Sequence, residues 1–395
     1  MSNIFNFCGK IVLGKETEKF RPVDRREWVS GWTSTTVKFN CISDTNRVLC
    51  TVQGGKFKDD KKNVIKTFSR STTDANGKLV KGKPIDIRWE DRFNADKIDS
   101  VAAFKRFVCD TGDTRMRYKL QDVVDGKAEI SEELEAAGIS SVEEAKAALE
   151  KSLAKKKIFL SEYDLAEHMA KVAASEKFKD KLFYISGTYD IAYNADKDRY
   201  YTNYRVNRVV LAPEDAVPST EMKVDFFFSQ DSFDDSQYDE TGKTYVNGWI
   251  KYYDANVKDS GFMPMTVVVR ESGKKLSALK RKFTVDGEDE IRTIGLVLKV
   301  IDGSERVELT MDMLSDEDKE DIEAGLISFE ALKRQLGGSA MGERIQEIRY
   351  VSLMERKHIA ESTAYTLDDM HAARMKPVED VEDLFANDDD DDDDL

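Results

Sequence analysis

The order of extended and helical stretches most constrains what this chain can fold into. In "TTVKFNCISDTNRVLCTVQGG", Val37, Phe39 and Cys41 alternate with Lys38 and Asn40. "SDTN" is a turn and "RVLCTV" resumes the extended pattern, so the segment predicts a hairpin. "KPIDIRWED" predicts a third strand with Ile85, Ile87 and Trp89 on one face. Much later, Leu182–Tyr193 and Arg199–Leu211 are two rich β runs joined by the polar turn "NADKD". Gly187 inside the first of them predicts a bulge or sharp bend. Between these groups lies helical sequence. Ser141 and Glu144 form a capping box in front of an Ala-, Leu-, Glu- and Lys-rich run, and a second helix starts at Ser161.

Hairpin, strand, helical insertion, hairpin is the order expected of an oligonucleotide/oligosaccharide-binding (OB) barrel. The expected fold class is therefore mainly β with helical insertions (α+β). Residues 1–212 are expected to form an OB-like five-stranded barrel with the insertion at about 125–180. "APEDAVPSTE" predicts a linker at 213–221. Residues 222–355 predict a second β-rich domain with late helices. Its strands are "MKVDFFFSQ", "TYVNGWIKYYDANV", "GFMPMTVVVRES", a hairpin turning at Asp302-Gly303, and "ERIQEIRYVSLM". This domain is read as OB-like, with another kind of β-sandwich left open. No repeat of fixed period relates the halves. Residues 356–395 are expected to be helical and then a disordered acidic tail.

That tail carries most of the charge imbalance. The chain's formal net charge is −15, but from Pro377 onward there are eleven acidic residues and no basic ones. The preceding 376 residues hold 65 acidic against 61 basic, a net of −4. A run of more than about six like charges repels itself and usually marks an interaction tail. No apolar run approaches the ~20 residues of a membrane span, and the N-terminus lacks the pattern of a secretory signal. The four cysteines form no C-x-x-C pair and suit reduced, partly buried cytoplasmic thiols.

Catalytic motifs are lacking. His168, His358 and His371 lie apart in sequence without metal-ligand spacing. "TGKT" at Thr241–Thr244 has Gln237 where a phosphate loop needs its first glycine, and reads as a hairpin turn. "SQDSFDDSQYDE" lacks calcium-loop spacing. The expectation is a non-enzyme without cofactors or metal.

Basic residues interleaved with aromatics recur instead. They include Trp28 and Trp32 after Arg25 and Arg26, then Lys56, Phe57, Lys58, Lys61, Lys62, Lys66, Phe68 and Arg70. Trp89 and Arg92, Arg115, Arg117 and Tyr118, and Tyr201, Tyr204 and Arg205 follow. Cations can track a phosphate chain while flat rings stack on unpaired bases at about 1–3 kcal/mol each. The ordinary alternative is that strand aromatics face the core and lysines solvate a surface. The 54–70 segment reads as too polar for core and is expected to be a flexible gripping loop.

Barrel first and acidic tail last, this organisation resembles the OB-fold single-stranded DNA-binding proteins of bacteria and their phages. The resemblance covers the pattern of residues 1–212 and the tail from 377. It implies coating of single-stranded DNA, or RNA, in replication, recombination or repair, in a cell or in a phage-infected host cytoplasm. It implies recruitment of replication or recombination proteins through Leu384, Phe385, Asp388, Asp389, Asp390, Asp391, Asp392, Asp393, Asp394 and Leu395. Family tails often end in Phe; here the tip is Leu395, and Phe385 precedes the aspartates. Rival readings are a phage structural or assembly protein, an acidic DNA mimic and an unrecognised enzyme.

Overall fold

The computed structural model describes residues 3–74, 77–194, 197–254, 258–308, 310–311, 314–335 and 339–371. Its fold is mainly β with helical insertions. The first strands are β1 (Ile4–Leu13), β2 (Val23–Glu27), β3 (Trp32–Ser43) and β4 (Asn46–Phe57). The β3–β4 hairpin turns tightly between Ser43 and Asn46, with Asp44 at φ 54° in the left-handed region that Asp tolerates. A small hairpin of β5 (Val64–Phe68) and β6 (Pro84–Arg88) stands beside it. Next come β7 (Phe107–Asp110) and β8 (Lys156–Phe159), paired antiparallel, with helices α1 (Thr114–Val124), α2 (Glu132–Ala136) and α3 (Val142–Leu153) between them. Helix α4 (Glu162–Ala173) leads into β9 (Leu182–Asn194) and β10 (Arg199–Leu211).

Five of these strands close a ring. β1 pairs with β3, β3 with β4, β4 with β10 in parallel, β10 with β9, and β9 with β1. Taken as strands one to five, the order is 1-2-3-5-4-1, which is OB topology. The helix between strands three and four is α4, whose Leu165, Ala166 and Met169 are buried in the barrel core beside Phe5, Phe7, Phe39 and Phe183. Gly54 permits this packing, because a Cβ there would lie 2.1 Å from the Tyr163 backbone nitrogen at the start of α4.

The ring repeats. β11 (Ser219–Phe228), β12 (Thr244–Asp254), β13 (Asp259–Val269), β14 (Arg292–Glu308) and β15 (Ser339–Leu353) follow in chain order. β11 pairs with β12, β12 with β13, β13 with β15 in parallel, β15 with β14, and β14 with β11. Helix α5 (Gly273–Lys282) occupies the place of α4. The rings share a sheet, since β1 also pairs antiparallel with β11, from Ile4 opposite Lys223 to Cys8 opposite Ser219. Apolar side chains of both barrels form one continuous cluster.

Several expectations change. The "KPIDIRWED" strand is β6, which belongs to the small hairpin. Ile87 packs there with Val101 and Leu160 in a separate cluster. The ring instead begins with β1. The 54–70 segment is not a flexible loop: it is the end of β4, a 3-10 turn at Asp60–Lys62, and β5. The Asn63 side chain fixes the turn, accepting from Phe57 N at 2.8 Å and donating to its carbonyl at 2.9 Å. Asp302-Gly303 is no hairpin turn but lies within β14, where Gly303 passes the β3–β4 turn. A Cβ there would meet the Thr45 carbonyl oxygen at 2.1 Å. Gly242 of "TGKT" caps a short helical turn, Tyr238–Thr241, at φ 66°. The caps agree with expectation: Ser141 Oγ accepts from Glu144 N, although the Glu144 carboxylate accepts from Ser140, one residue further back. The bulge at Ser186/Gly187 is also present.

Candidate nucleic-acid interface

The β2–β3 hairpin and the end of β4 build one patch. Trp28 N donates to the Trp32 carbonyl and Lys58 N donates to that of Gly31, so the hairpin tip lies against the strand leaving β4. Gly55 leaves room for the Trp32 indole, which a Cβ would meet at 2.3 Å. Trp32 stands edge-on to Phe57, centroids 4.9 Å apart, while Trp28 is 44% exposed. Lys56 Nζ lies 3.2 Å from Asp60 and within 6 Å of the Trp89 and Tyr163 rings. Lys58 pairs with Glu27. Lys61 and Lys62, exposed on the 3-10 turn, have no carboxylate partner among the described residues. Arg92 stacks on Trp89 and Phe93, at 4.2 and 4.3 Å, and its Nε donates to Asp164 at 2.9 Å. Residues from three separated segments thus meet at one end of the barrel.

Lys66, Phe68 and Arg70 form a second group on and after β5. Lys105 Nζ sits 5.8 Å from the Phe68 ring and 5.9 Å from that of Phe104, which is 77% exposed. Arg205 on β10 pairs with Glu162 and, at 3.5 Å, with Asp190. Burial pushes the Glu162 carboxyl up, and Arg205 offsets this only in part. Asp164 is likewise raised by burial against the pull of Arg92. Both carboxylates start α4, so the helix N-terminus holds two interface arginines. Glu167, one turn on, is lowered by its bond from Arg25 and also accepts from the Thr35 hydroxyl.

Three sequence candidates have structural roles instead. Trp89 is buried, so its ring supports Arg92 and Lys56 and has no free face for a base. Tyr204 packs among Phe5, Phe7 and Tyr189 on the core side of β10. Arg117 is committed to Asp110, through bonds of 2.6 and 2.9 Å, and to Ser152. Its neighbours on α1 are placed with the helical insertion: Arg115 pairs with Asp215, and Tyr118 is exposed. Tyr201 lies near the β9–β10 tip, beside Arg199 at 5.6 Å. The tail residues Leu384, Phe385 and Asp388–Leu395 lie outside the described residues. Phe104, Lys105 and Tyr163 escaped sequence reasoning. "AFKR" was a single aromatic–basic pair, and "SEYDLAEH" read as a helix start.

Among the described residues no group of three or more His, Cys, Asp or Glu is placed to hold a metal ion. His168 is half-buried against Phe159, and burial lowers its pKa. All four cysteines are buried; burial pushes Cys41 and Cys109 up to about 12. No described helix is long and apolar enough to cross a membrane.

No protein-family model matches the chain, and no curated protein matches it in sequence. Among solved structures it is similar to a deletion mutant of the single-stranded DNA binding protein from Thermus aquaticus. The identity is 9%, over 75% of this chain and 86% of that one, with a TM-score of 0.28. At that score the likeness carries no argument, and the interface rests on its own residues.

Proposed function

We propose that this protein is a non-enzymatic, sequence-independent binder of single-stranded DNA. On this reading it coats strands in replication, recombination or repair, with residues 1–212 making the first grip. The observation that carries the reading is the patch at the ends of β2, β3 and β4. There the exposed Trp28 ring and the Trp32–Phe57 pair stand beside Lys61 and Lys62, cations without a carboxylate partner among the described residues. Stacking accepts any base, and cations follow any phosphate chain. A titration with poly-dT that follows the four tryptophans tests it. Quenching by poly-dT, with weaker response to duplex, is expected. Tight, sequence-selective duplex binding would sink the proposal.

The acidic tail is proposed to recruit partner proteins and to compete with DNA for the same cations. About nineteen residues at ~3.3 Å each reach roughly 60 Å, enough to cross a barrel. Deleting Pro377–Leu395 is expected to tighten single-strand binding most at low salt, where screening is weak. Equal affinities of the full-length and shortened proteins at low salt would remove self-competition.

A further inference from the structure

The outward face of the shared sheet carries a row of polar residues that the candidate patch does not use. The strand registers place Arg208 (β10) opposite Ser186 (β9), Ser186 opposite Asn6 (β1) and Asn6 opposite Glu221 (β11). Glu221 is opposite Lys299 (β14), and Lys299 is opposite Arg349 (β15). Directly paired residues share a face, and the core residues Phe5, Phe7, Ile185 and Met222 flank this row in sequence, so the row points outward. Six strands make five steps of ~4.8 Å, a span of about 24 Å across both barrels.

Its charge is basic in a chain of net −15. Arg208, Lys299, Arg349 and Lys223 stand against two carboxylates, Glu221, which pairs with Lys223 at 3.1 Å, and Glu347, which pairs with Arg349. Arg208 and Lys299 are exposed and have no ion-pair partner among the described residues. At the first-barrel end the row opens into a cavity of about 450 Å³ lined by Asn6, Tyr184, Ser186, Arg208, Ser219 and Glu221. Tyr184, 45% exposed, offers a ring there.

The β9–β10 bulge connects row and patch. Gly187 pairs with Val206 and Ser186 with Arg208, which leaves Asn207 as the extra residue. Without it, a three-residue separation would put Arg205 and Arg208 on opposite faces. With it both face outward, about 10 Å apart along β10. Gly187 makes the bulge possible, since a Cβ there would meet the Arg205 carbonyl oxygen at 1.9 Å.

We propose that this row is a second track for the phosphate backbone of a single strand, running from Arg205 over the shared sheet onto the second barrel. It lies on strands one, four and five of each ring, away from the β3–β4 arms. The proposal rests on the single-strand reading above. At the duplex rise of ~3.4 Å per nucleotide, 24 Å corresponds to about seven nucleotides.

The test uses the full chain and two oligo-dT lengths, about 8 and about 24 nucleotides, with the exposed-site variant Arg208→Glu/Lys299→Glu. The milder Arg208→Gln/Lys299→Gln and a thermal melt guard against misfolding. The expected result is unchanged affinity for the short oligonucleotide. The long one should lose about tenfold or more, with a log–log salt slope shallower by up to ~1.4 for two lost contacts. Unchanged long-oligonucleotide affinity and slope in both folded variants would overturn the track. Equal losses on both lengths would also overturn it, by making these cations part of the first grip. If the wild-type protein binds neither length, the single-strand reading itself falls and the track with it.

Discussion

Arg117 separates the sequence reading from the structural one, because the two assign it opposite roles. As a phosphate contact, its loss would weaken DNA binding and leave the fold alone. In the structure its guanidinium donates to both Asp110 oxygens at 2.6 and 2.9 Å, to Ser152 Oγ at 3.1 Å and to the Ser152 carbonyl at 2.9 Å. The two side chains are only 11% and 4% exposed, and Asp110 also accepts from Gly112 N. This pair ties β7 to α1 and α3. Removing one partner of a buried, bidentate pair strands the other and costs about 3–5 kcal/mol. Arg117→Ala is therefore expected to lose about that much in urea or thermal unfolding, with Arg115→Ala near zero. Adding Asp110→Ala should cost less than the sum, with a coupling of about 1–3 kcal/mol. Burial raises the Asp110 carboxyl, but Arg117 and Gly112 outweigh it and hold the pKa below the ordinary carboxylate range. The sign follows: the pair's stabilisation is full above the unfolded pKa and is lost as pH falls through the lower folded value. Salt slopes on oligo-dT should match wild type. A folded Arg117→Ala protein of unchanged stability and weakened DNA binding would refute the structural assignment.

Replacing Lys56, Lys58, Lys61 and Lys62 with Ala is expected to flatten the oligo-dT salt slope by up to ~0.7 per phosphate contact. Lys61 and Lys62 should account for most of it, because Asp60 and Glu27 already hold the other two; an unchanged slope would place the grip elsewhere. Glu162→Gln should tighten binding at pH 7 by freeing Arg205. In the wild type Glu162 ionises late, so its relative stabilisation is present at low pH and lost as pH rises through its raised pKa. Binding should thus tighten as wild-type protein is acidified through that window, and the variant should show less of this; identical pH profiles would count against the arginine clamp. Gly54→Ala should lower stability by more than about 1 kcal/mol in a urea melt, since backbone must move to admit the methyl group; a neutral result would contradict the close approach of α4.

The β3–β4 hairpin was legible because one of its faces is buried and the other wet, which leaves clean alternation in the sequence. β1 was not. Its "FCG" run, Phe7 to Gly9, is buried throughout, because β1 pairs with β9, β3 and β11 and lies between two barrels. Periodicity also gave β6 a buried face without saying which core it faces; Ile87 faces a satellite cluster. Asp302-Gly303 has turn chemistry, but Gly303 serves a close crossing with Thr45, a contact between residues over 250 positions apart. In the interface, exposed Trp28 and buried Trp89 have the same basic–aromatic sequence context. Only packing distinguishes a ring offered to solvent from one that props up cations. The clustering itself was legible as recurrence, since cations and rings in separated segments meet on a few strand ends.

The two rings place an arginine at the same point of the same seam. In the first, Cys50 and Thr51 face Tyr204 and Arg205 across the parallel pair of strands three and five. In the second, Val267 and Val268 face Ile348 and Arg349. Each seam has an apolar residue inward and an arginine outward. Each arginine is held by carboxylates, Arg205 by Glu162 and Asp190, Arg349 by Glu347. Glu347, 6% exposed, also draws Arg270 at 3.1 Å and Lys243 at 3.4 Å, so three cations share one acceptor. A half-buried guanidinium needs such a partner, because desolvation without one costs several kcal/mol. The partners differ in how they are shared. Two carboxylates around Arg205 cancel its charge, so a phosphate must displace one of them. At the second seam Glu347 divides its charge among three cations, so a phosphate there competes with an acceptor that each cation holds only in part. On the single-strand reading, binding at the first barrel is then pH-dependent through Glu162, whose carboxyl burial pushes up, because the protonated acid no longer holds Arg205.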